Sequence, residues 1–394
     1  MTKKSNVPAI RFKDFTDTWE QHKLGDHSEI VAGGTPNTGH PEYWNPKEIP
    51  WMSSGEINNK VIYSTDNMIS KIGFSNSSAK WVKEKSVLIA LAGQGKTRGT
   101  VAISEIPLTT NQSIAAIQPD SFLYYKFLFQ NLEERYNELR EVSSGDGTRG
   151  GLNKQIISDL EVLAPEIQEQ IKIGDFLCGI DTLITLHQRK YDKLTKVKKA
   201  MLEKMFPENG SPYPEIRFKG FTDAWEQHKL GEFADIVGGG TPSTSNFEYW
   251  DGDIDWYAPA EIADQIFVSS SERKITQQGY DNSSAKMLPV GTVLFTSRAG
   301  IGKTAILRKE GCTNQGFQSI VPHINELDSY FIFSRSEEMK RYGETVGAGS
   351  TFVEVSGKQM ANMELMMPTT MEEQVTIGSF FRNLDSIITL HQRM

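Results

Sequence analysis

Between Pro165 and Pro207 the chain has no proline, and its apolar positions recur in alternating steps of four and three. The series is Ile173, Leu177, Ile180, Ile184, His187, Tyr191, Leu194, Lys198, Met201 and Met205, and eight of these ten positions are apolar. That spacing predicts a long helix with a heptad seam. At about 1.5 Å per residue, residues 173–205 make a rod of roughly 50 Å. A second stripe, Ile377, Phe381, Leu384, Ile388 and His391, starts in the same way. It stops at Met394, about 16 residues before the position equivalent to Phe206. A single apolar stripe has to be covered, and the obvious cover is the other stripe. The pattern predicts an antiparallel intramolecular coiled coil, with pairing between two chains as the alternative.

The rest of the chain shows short apolar runs bounded by Gly, Pro, Asn and Ser. Residues 87–92, 100–103, 114–117, 293–296 and 317–321 read as strands. Residues 122–140 and 330–342 read as helices, and 207–214 (PENGSPYP) as a linker. The longest apolar run is far short of the roughly 20 residues a membrane span needs.

The chain also repeats itself. Residues 9–44 return as residues 215–250 without gaps, with 24 of 36 positions identical. Asn76–Lys80 returns as Asn282–Lys286, Gly95-Lys96-Thr97 as Gly302-Lys303-Thr304, Thr110-Asn111-Gln112 as Thr313-Asn314-Gln315, and Asp181–Arg189 as Asp385–Arg393. A period near 205 is too long for a solenoid and means a duplicated domain with its trailing helix. The expected fold class is α/β: two repeated mixed α/β domains separated by two long helices, related by a pseudo-two-fold. The expected boundaries are 1–165 for the first domain and 166–206 for the central helix. The second domain follows over 207–369, and the C-terminal helix over 370–394.

Composition changes this picture little. The chain of 394 residues is 38% hydrophobic and 23% charged, ordinary for a globular protein. Two unpatterned cysteines, Cys178 and Cys312, give no disulfide framework and fit a reducing cytoplasm. The start, MTKKSN, has no apolar region behind it, so no secretory signal is expected. The net charge of −8 argues against a histone-like binder but allows basic groups gathered on one face.

A search for catalytic chemistry finds little. Both GKT triplets lack the first glycine of a phosphate loop, since Ala90 and Ser297 stand there. The segment 145–150 matches GxGxxG but follows a helical stretch, which a dinucleotide site does not. The seven histidines form no HExxH or HxH, and there is no Pro-Pro dipeptide. Glu166, Glu169 and Glu203 are expected to face solvent on the rod.

What remains is loop chemistry suited to DNA. Gln94, Lys96, Thr97 and Arg98 sit between two predicted strands, and Arg298, Lys303 and Thr304 form their counterpart. Arg and Gln offer paired contacts to guanine and adenine edges, while Lys neutralises phosphates. Asn111-Gln112 and Thr148-Arg149 add donors and acceptors. A basic run, Arg189, Lys190, Lys193, Lys196, Lys198, Lys199 and Lys204, reads as a solvated helix face or as a surface for phosphates or an acidic partner.

These features together resemble one family, the specificity subunits of Type I restriction–modification systems. The residues behind this are 10–26 (IRFKDFTDTWEQHKLGD) and their second copy, GGTP followed by Tyr-Trp, the Asn-Gln pair, and Gly147–Asn153. Leu163-Ala-Pro165, Glu169-Gln170 and 174–184, with their repeat at Pro368, Glu373-Gln374 and 378–388, complete it. The resemblance implies two target-recognition domains, each reading half of a bipartite site in double-stranded DNA, with the helices setting the gap. A rod of roughly 50 Å exceeds one DNA turn of about 34 Å. Because residues 45–150 and 251–354 diverge in their loops, an asymmetric target is expected. The resemblance also implies a non-catalytic chain that holds two adenine-N6 methyltransferase subunits using S-adenosylmethionine. Motor–nuclease subunits using ATP and magnesium would join them. It carries DNA contact onto Gln94, Lys96, Thr97, Arg98, Thr148 and Arg149, and onto Arg298, Lys303, Thr304, Ser350 and Thr351. Copy two has no Arg matching Arg149. The alternative reading is a free-standing DNA-binding regulator or a protein-binding scaffold.

Overall fold

The computed structural model describes residues 7–93, 97–142, 151–208, 210–298, 300–348 and 354–393. The chain divides into two compact units, residues 1–185 and 186–394. The first contains β1 (Glu20–Lys23), β2 (Ser28–Ala32), β3 (Ile49–Met52), β4 (Val61–Ile62), β5 (Asn67–Ile69), β6 (Ser86–Ala90), β7 (Val101–Ser104), β8 (Thr109–Thr110), β9 (Ile114–Pro119) and β10 (Glu161–Ala164). Its helices are α1 (Lys71–Ser75), α2 (Tyr125–Glu134), α3 (Tyr136–Val142), α4 (Lys154–Ser158) and the first half of α5 (Ile167–Lys204). A five-stranded sheet has the order β2-β9-β6-β7-β4, a three-stranded sheet the order β5-β3-β8, and β1 pairs with β10. The edge pairs β4–β7 and β3–β8 are parallel, and the other pairs are antiparallel.

The second unit repeats each element in turn. Its strands are β11 (Glu226–Lys229), β12 (Ala234–Gly238), β13 (Trp250–Tyr257), β14 (Phe267–Val268), β15 (Arg273–Ile275), β16 (Val293–Phe295), β17 (Thr304–Leu307), β18 (Cys312–Thr313), β19 (Gln318–Pro322) and β20 (Glu364–Met367). Its helices are α6 (Gln277–Asp281), α7 (Ser329–Ser334), α8 (Ser336–Gly347), α9 (Gly357–Ala361) and α10 (Met371–Arg393). The sheets are β12-β19-β16-β17-β14, β15-β13-β18 and β11-β20, the same topology as in the first unit.

Strand β6 explains why the central runs are apolar without alternation. Val87 and Ile89 face α2, beside Phe127, Leu128 and Leu132. Leu88 and Ala90 face the other way, beside Met52 and Ile57. A strand covered on both faces has no polar side to display.

Two expectations change on the way to α5. The helices predicted over 122–140 and 330–342 are each broken, at Arg135 and Arg335. The two breaks have one cause. Arg135 reaches Glu138 with Nε and the Glu161 carbonyl with Nη1, and Arg335 does the same with Glu338 and the Met366 carbonyl. Each arginine ties its helix corner to the strand that precedes the long helix. Glu169 was expected to face solvent and is instead buried, because Arg11 donates to both of its oxygens at 2.6 and 2.7 Å. Arg217 and Glu373 repeat that pair at 2.7 and 2.8 Å. The IRFK segments are the straps that hold each long helix at its start.

Within the second unit, α5 from Leu186 onward pairs with α10. His187 meets His391 at 2.8 Å through their Nδ1 atoms, Lys198 meets Asp385 at 2.6 Å, and the Phe206 ring stacks on Phe381 with centroids 6.0 Å apart. Partner numbers fall along α10 as they rise along α5, so the helices are antiparallel. Ile377, Phe381 and Leu384 are buried, with Ile388 half-buried. Tyr191, Leu194 and Met201 are half-buried on α5.

The seam over the first half of α5 departs from the expectation. Ile173 is half-buried and packs into the core of the first unit, and Leu177 is half-buried. Ile180 and Ile184, however, are 38% and 57% exposed. Among the described residues of the first unit, the core reaches α5 at Ile173 and Cys178, one to two turns before these positions. Among the described residues no helix is long and apolar enough to cross a membrane.

Candidate nucleic-acid interface

In each unit the motif-bearing loops meet at one end of the five-stranded sheet. Leu91, just past β6, donates to the Ser113 carbonyl at 2.8 Å and accepts from the Leu152 N–H at 3.1 Å. Ser297, just past β16, donates to the Gly316 carbonyl at 2.8 Å and accepts from Val355 N–H at 3.0 Å. The segment after β6 or β16 is therefore clasped between the Asn-Gln loop and the chain entering α4 or α9. Three loops distant in sequence converge there.

The GGTP segment joins them. Gly33 N–H donates to the Ile114 carbonyl and Gly34 N–H to Thr110, at 3.2 and 2.8 Å. A Cβ on Gly33 would overlap the Asn111 carbonyl, and one on Gly34 the backbone of Ser78 and Ala79. Gly239 and Gly240 stand in the same contacts, against Asn314 and against Ser284 and Ala285. The double glycine thus fits two backbones into one crossing, which also explains why the NSSAK segments recur. Trp51 and Trp256 donate their indole N–H to the carbonyls of Gly34 and Gly240, at 2.9 and 2.8 Å. The Trp of each Tyr-Trp pair, Trp44 or Trp250, packs edge-on against that indole with centroids 5.1 Å apart. GGTP and Tyr-Trp are one structural device. The threonine that follows, Thr35 or Thr241, donates its hydroxyl to Oε1 of Gln112 or Gln315. Sequence reading passed over this bond. The recurrence of both motifs was visible, but not their contact.

Of the residues carried as DNA contacts, Thr97 and Arg98 are half-buried beside this end of the sheet. Their turn, 97–100, lies against α3, where Gly99 faces Leu139 and Arg140. Arg298 is bound from the other side of the loop. Its Nη2 donates to the Gln315 carbonyl at 2.6 Å, and its Nε lies 3.7 Å from Glu354. Lys303 is exposed. Thr304 opens β17 and donates to Ser336 Oγ at 2.8 Å, so its hydroxyl is engaged within the fold. Gln94, Lys96, Thr148, Arg149, Ser350 and Thr351 lie outside the described residues. The two arginines thus stand at opposite ends of equivalent loops, Arg98 after the GKT and Arg298 before it.

The units differ further on the three-stranded sheet. In the second, Asp255 is buried and meets Lys309 at 2.8 Å and Lys274 at 3.4 Å. Burial raises this carboxyl, and the Lys309 hydrogen bond, the Ser271 N–H and the Lys274 charge bring it net below the ordinary aspartate value. Arg273 lies over the Trp250 ring at 3.6 Å. By strand register the first unit has Pro50, Met68 and Ile106 in place of the ion cluster and Asn67 in place of Arg273. Among the described residues no group of three His, Cys, Asp or Glu is placed to hold a metal.

A family model for the Type I restriction modification DNA specificity domain matches residues 16–196 and again 222–394. The type I restriction enzyme MjaIX specificity subunit of Methanocaldococcus jannaschii is 36% identical over 165 residues, which cover 41% of this chain and 38% of that protein. The putative type I restriction enzyme MjaX specificity subunit of the same organism is 22% identical over 412 residues, covering 99% and 92%. The EcoR124I/EcoR124II specificity subunit of Escherichia coli is 29% identical over 184 residues, 44% of each chain. The alignments to the first and third thus span less than half of those relatives. A crystal structure of a Type-I restriction-modification S subunit from M. genitalium shares the fold, with a TM-score of 0.59 at 11% identity over 99% of this chain and 94% of that one. Two matches to one family model over most of the chain, on two copies of one topology, carry the conclusion: this chain belongs to the Type I restriction modification DNA specificity family.

Proposed function

We propose that this chain reads an asymmetric, two-part target in double-stranded DNA, one half with each unit. The observation that carries this reading is the loop end of the sheets. Both units assemble the same GGTP, Asn-Gln and post-β6 or post-β16 segments there, yet place their arginines on opposite sides of the loop. A shared frame with unlike polar groups suits two readers of different sequence. Arg98 and Arg298 supply base-edge contacts, and Thr97 and Lys303 supply backbone contacts, together with Gln94, Lys96, Thr148, Arg149, Ser350 and Thr351.

The chain carries no chemistry of its own in this reading. It positions two adenine-N6 methyltransferase subunits, which bind S-adenosylmethionine and flip the target base. Motor–nuclease subunits that use ATP and magnesium join for restriction in the cytoplasm.

The test is co-expression with an adenine-N6 methyltransferase subunit of a Type I restriction–modification system that co-purifies with the chain, in a host free of DNA methylation, followed by single-molecule sequencing for N6-methyladenine. A gapped motif with unlike halves is expected. A soluble complex that leaves the genome unmethylated would contradict the reading.

A further inference from the structure

Gln112 and Gln315 hold the same place in the two units, and both are exposed. In each, the side-chain Oε1 accepts the hydroxyl of the GGTP threonine, Thr35 or Thr241. Among the described residues no group takes the hydrogens of either Nε2. The threonines are themselves fixed, because the glycines before them are locked into the backbone crossing. Each glutamine therefore displays its Nε2 donor, with its Oε1 tied back to the threonine by one of two lone pairs. In the second unit a cation stands beside it, since Arg298 donates to the Gln315 main-chain carbonyl at 2.6 Å.

This restricts what the amide can recognise. Reading adenine takes a donor and an acceptor presented side by side by an amide free to turn into the base plane, whereas here the threonine takes one of the two Oε1 lone pairs and fixes that plane. A donor alone suits a phosphate oxygen or a guanine acceptor. The pinned glutamine is the same in both units while the arginines around it differ. Its target is then the feature that two unlike half-sites share, the phosphodiester backbone. We propose that Gln112 and Gln315 are phosphate-anchoring residues, one per half-site. Each is held donor-outward by its GGTP threonine and fixes the register of its unit on the duplex without reading sequence. This rests on the reading that the chain binds DNA.

The experiment uses the full chain in complex with its methyltransferase subunits and two duplexes of equal length. One carries the methylated site found by sequencing, and the other is random in sequence. Gln112→Met keeps the side-chain shape and removes both donors. It should weaken binding to both duplexes by the same factor, about tenfold for a hydrogen bond to a charged group, and leave the methylated motif unchanged. Thr35→Val should give a smaller loss in the same direction. Gln112→Lys should tighten binding to the random duplex and steepen its logarithmic salt dependence by about 0.9. Unchanged binding by Gln112→Met overturns the assignment, and so does a motif relaxed at a single base. A wild-type complex that binds neither duplex overturns the DNA reading itself, and is seen before any variant is compared.

Discussion

The two recognition units share almost all of their framework and differ at their tips. Double glycine, paired tryptophans, pinned glutamine and the Arg–Glu strap recur with matching geometry. The arginine of the loop after β6 or β16, and the ion cluster on the three-stranded sheet, do not recur. Framework residues answer to burial and backbone fit, which any DNA sequence leaves unchanged. Tip residues answer to what they touch outside the fold. The comparison teaches which positions to alter in order to destabilise the molecule and which to alter its reading.

The largest effects belong to the framework. Phe381→Ala empties a fully buried position stacked on Phe206 and facing Phe331 across the second core. It should cost about 3–5 kcal/mol of stability, read by chemical denaturation of the second unit's transition. Glu373→Gln leaves the Arg217 guanidinium without its buried counter-charge, at a cost of about 3 kcal/mol by the same measurement. In neither case should the sequence of the methylated motif change. A changed motif in a folded variant would break the division between frame and tip.

The next effect is on reading. Arg298→Ala should relax one half of the motif by about 1–3 kcal/mol and leave the other half intact. An equal loss on all sequences would make Arg298 a phosphate contact, which would move the reading of that half to other residues.

The smallest effect is of pH on the helix pair. Burial, then His187, then Lys190 hold the His391 imidazole below the usual histidine value. The unfolded chain therefore takes up protons first, and pairing loses stability as pH falls from about 6.5 toward the lowered value. His323, raised on balance by Asp235 and Glu326 against its burial, acts in the opposite sense. The informative quantity is therefore a difference: between pH 7.5 and 5.5, His391→Gln should lose less thermal stability than the unaltered chain. An equal loss would show that the histidine pair is indifferent to protonation.

Much of the fold was legible in the sequence because it rests on periodicity and repetition. The seam from Ile377 to Leu384 is buried as its spacing requires. Ile180 and Ile184 of the same stripe stand 38% and 57% exposed, since a stripe states a need for cover but does not name what supplies it. Glu169 misled for the converse reason. A carboxylate on a helix reads as solvated until its partner, Arg11, arrives from 158 positions away. The corners at Arg135 and Arg335 were likewise hidden, because what stops each helix is a carbonyl on a later strand. At the candidate site, the loops were singled out from residue type and recurrence. Their meeting point was not, for the Thr35–Gln112 bond spans 77 positions and depends on the sheet to close it.

The central claim is that each unit reads its own half of the target. The most direct test replaces residues 251–354 with residues 45–150, so that both units carry the same tip, co-expresses this chain and the unaltered one with the methyltransferase subunit in a methylation-free host, and sequences the N6-methyladenine each leaves. The account predicts a gapped motif with unlike halves for the unaltered chain and two copies of one half-site for the replaced one. A replaced chain whose complex still methylates the original motif would contradict it.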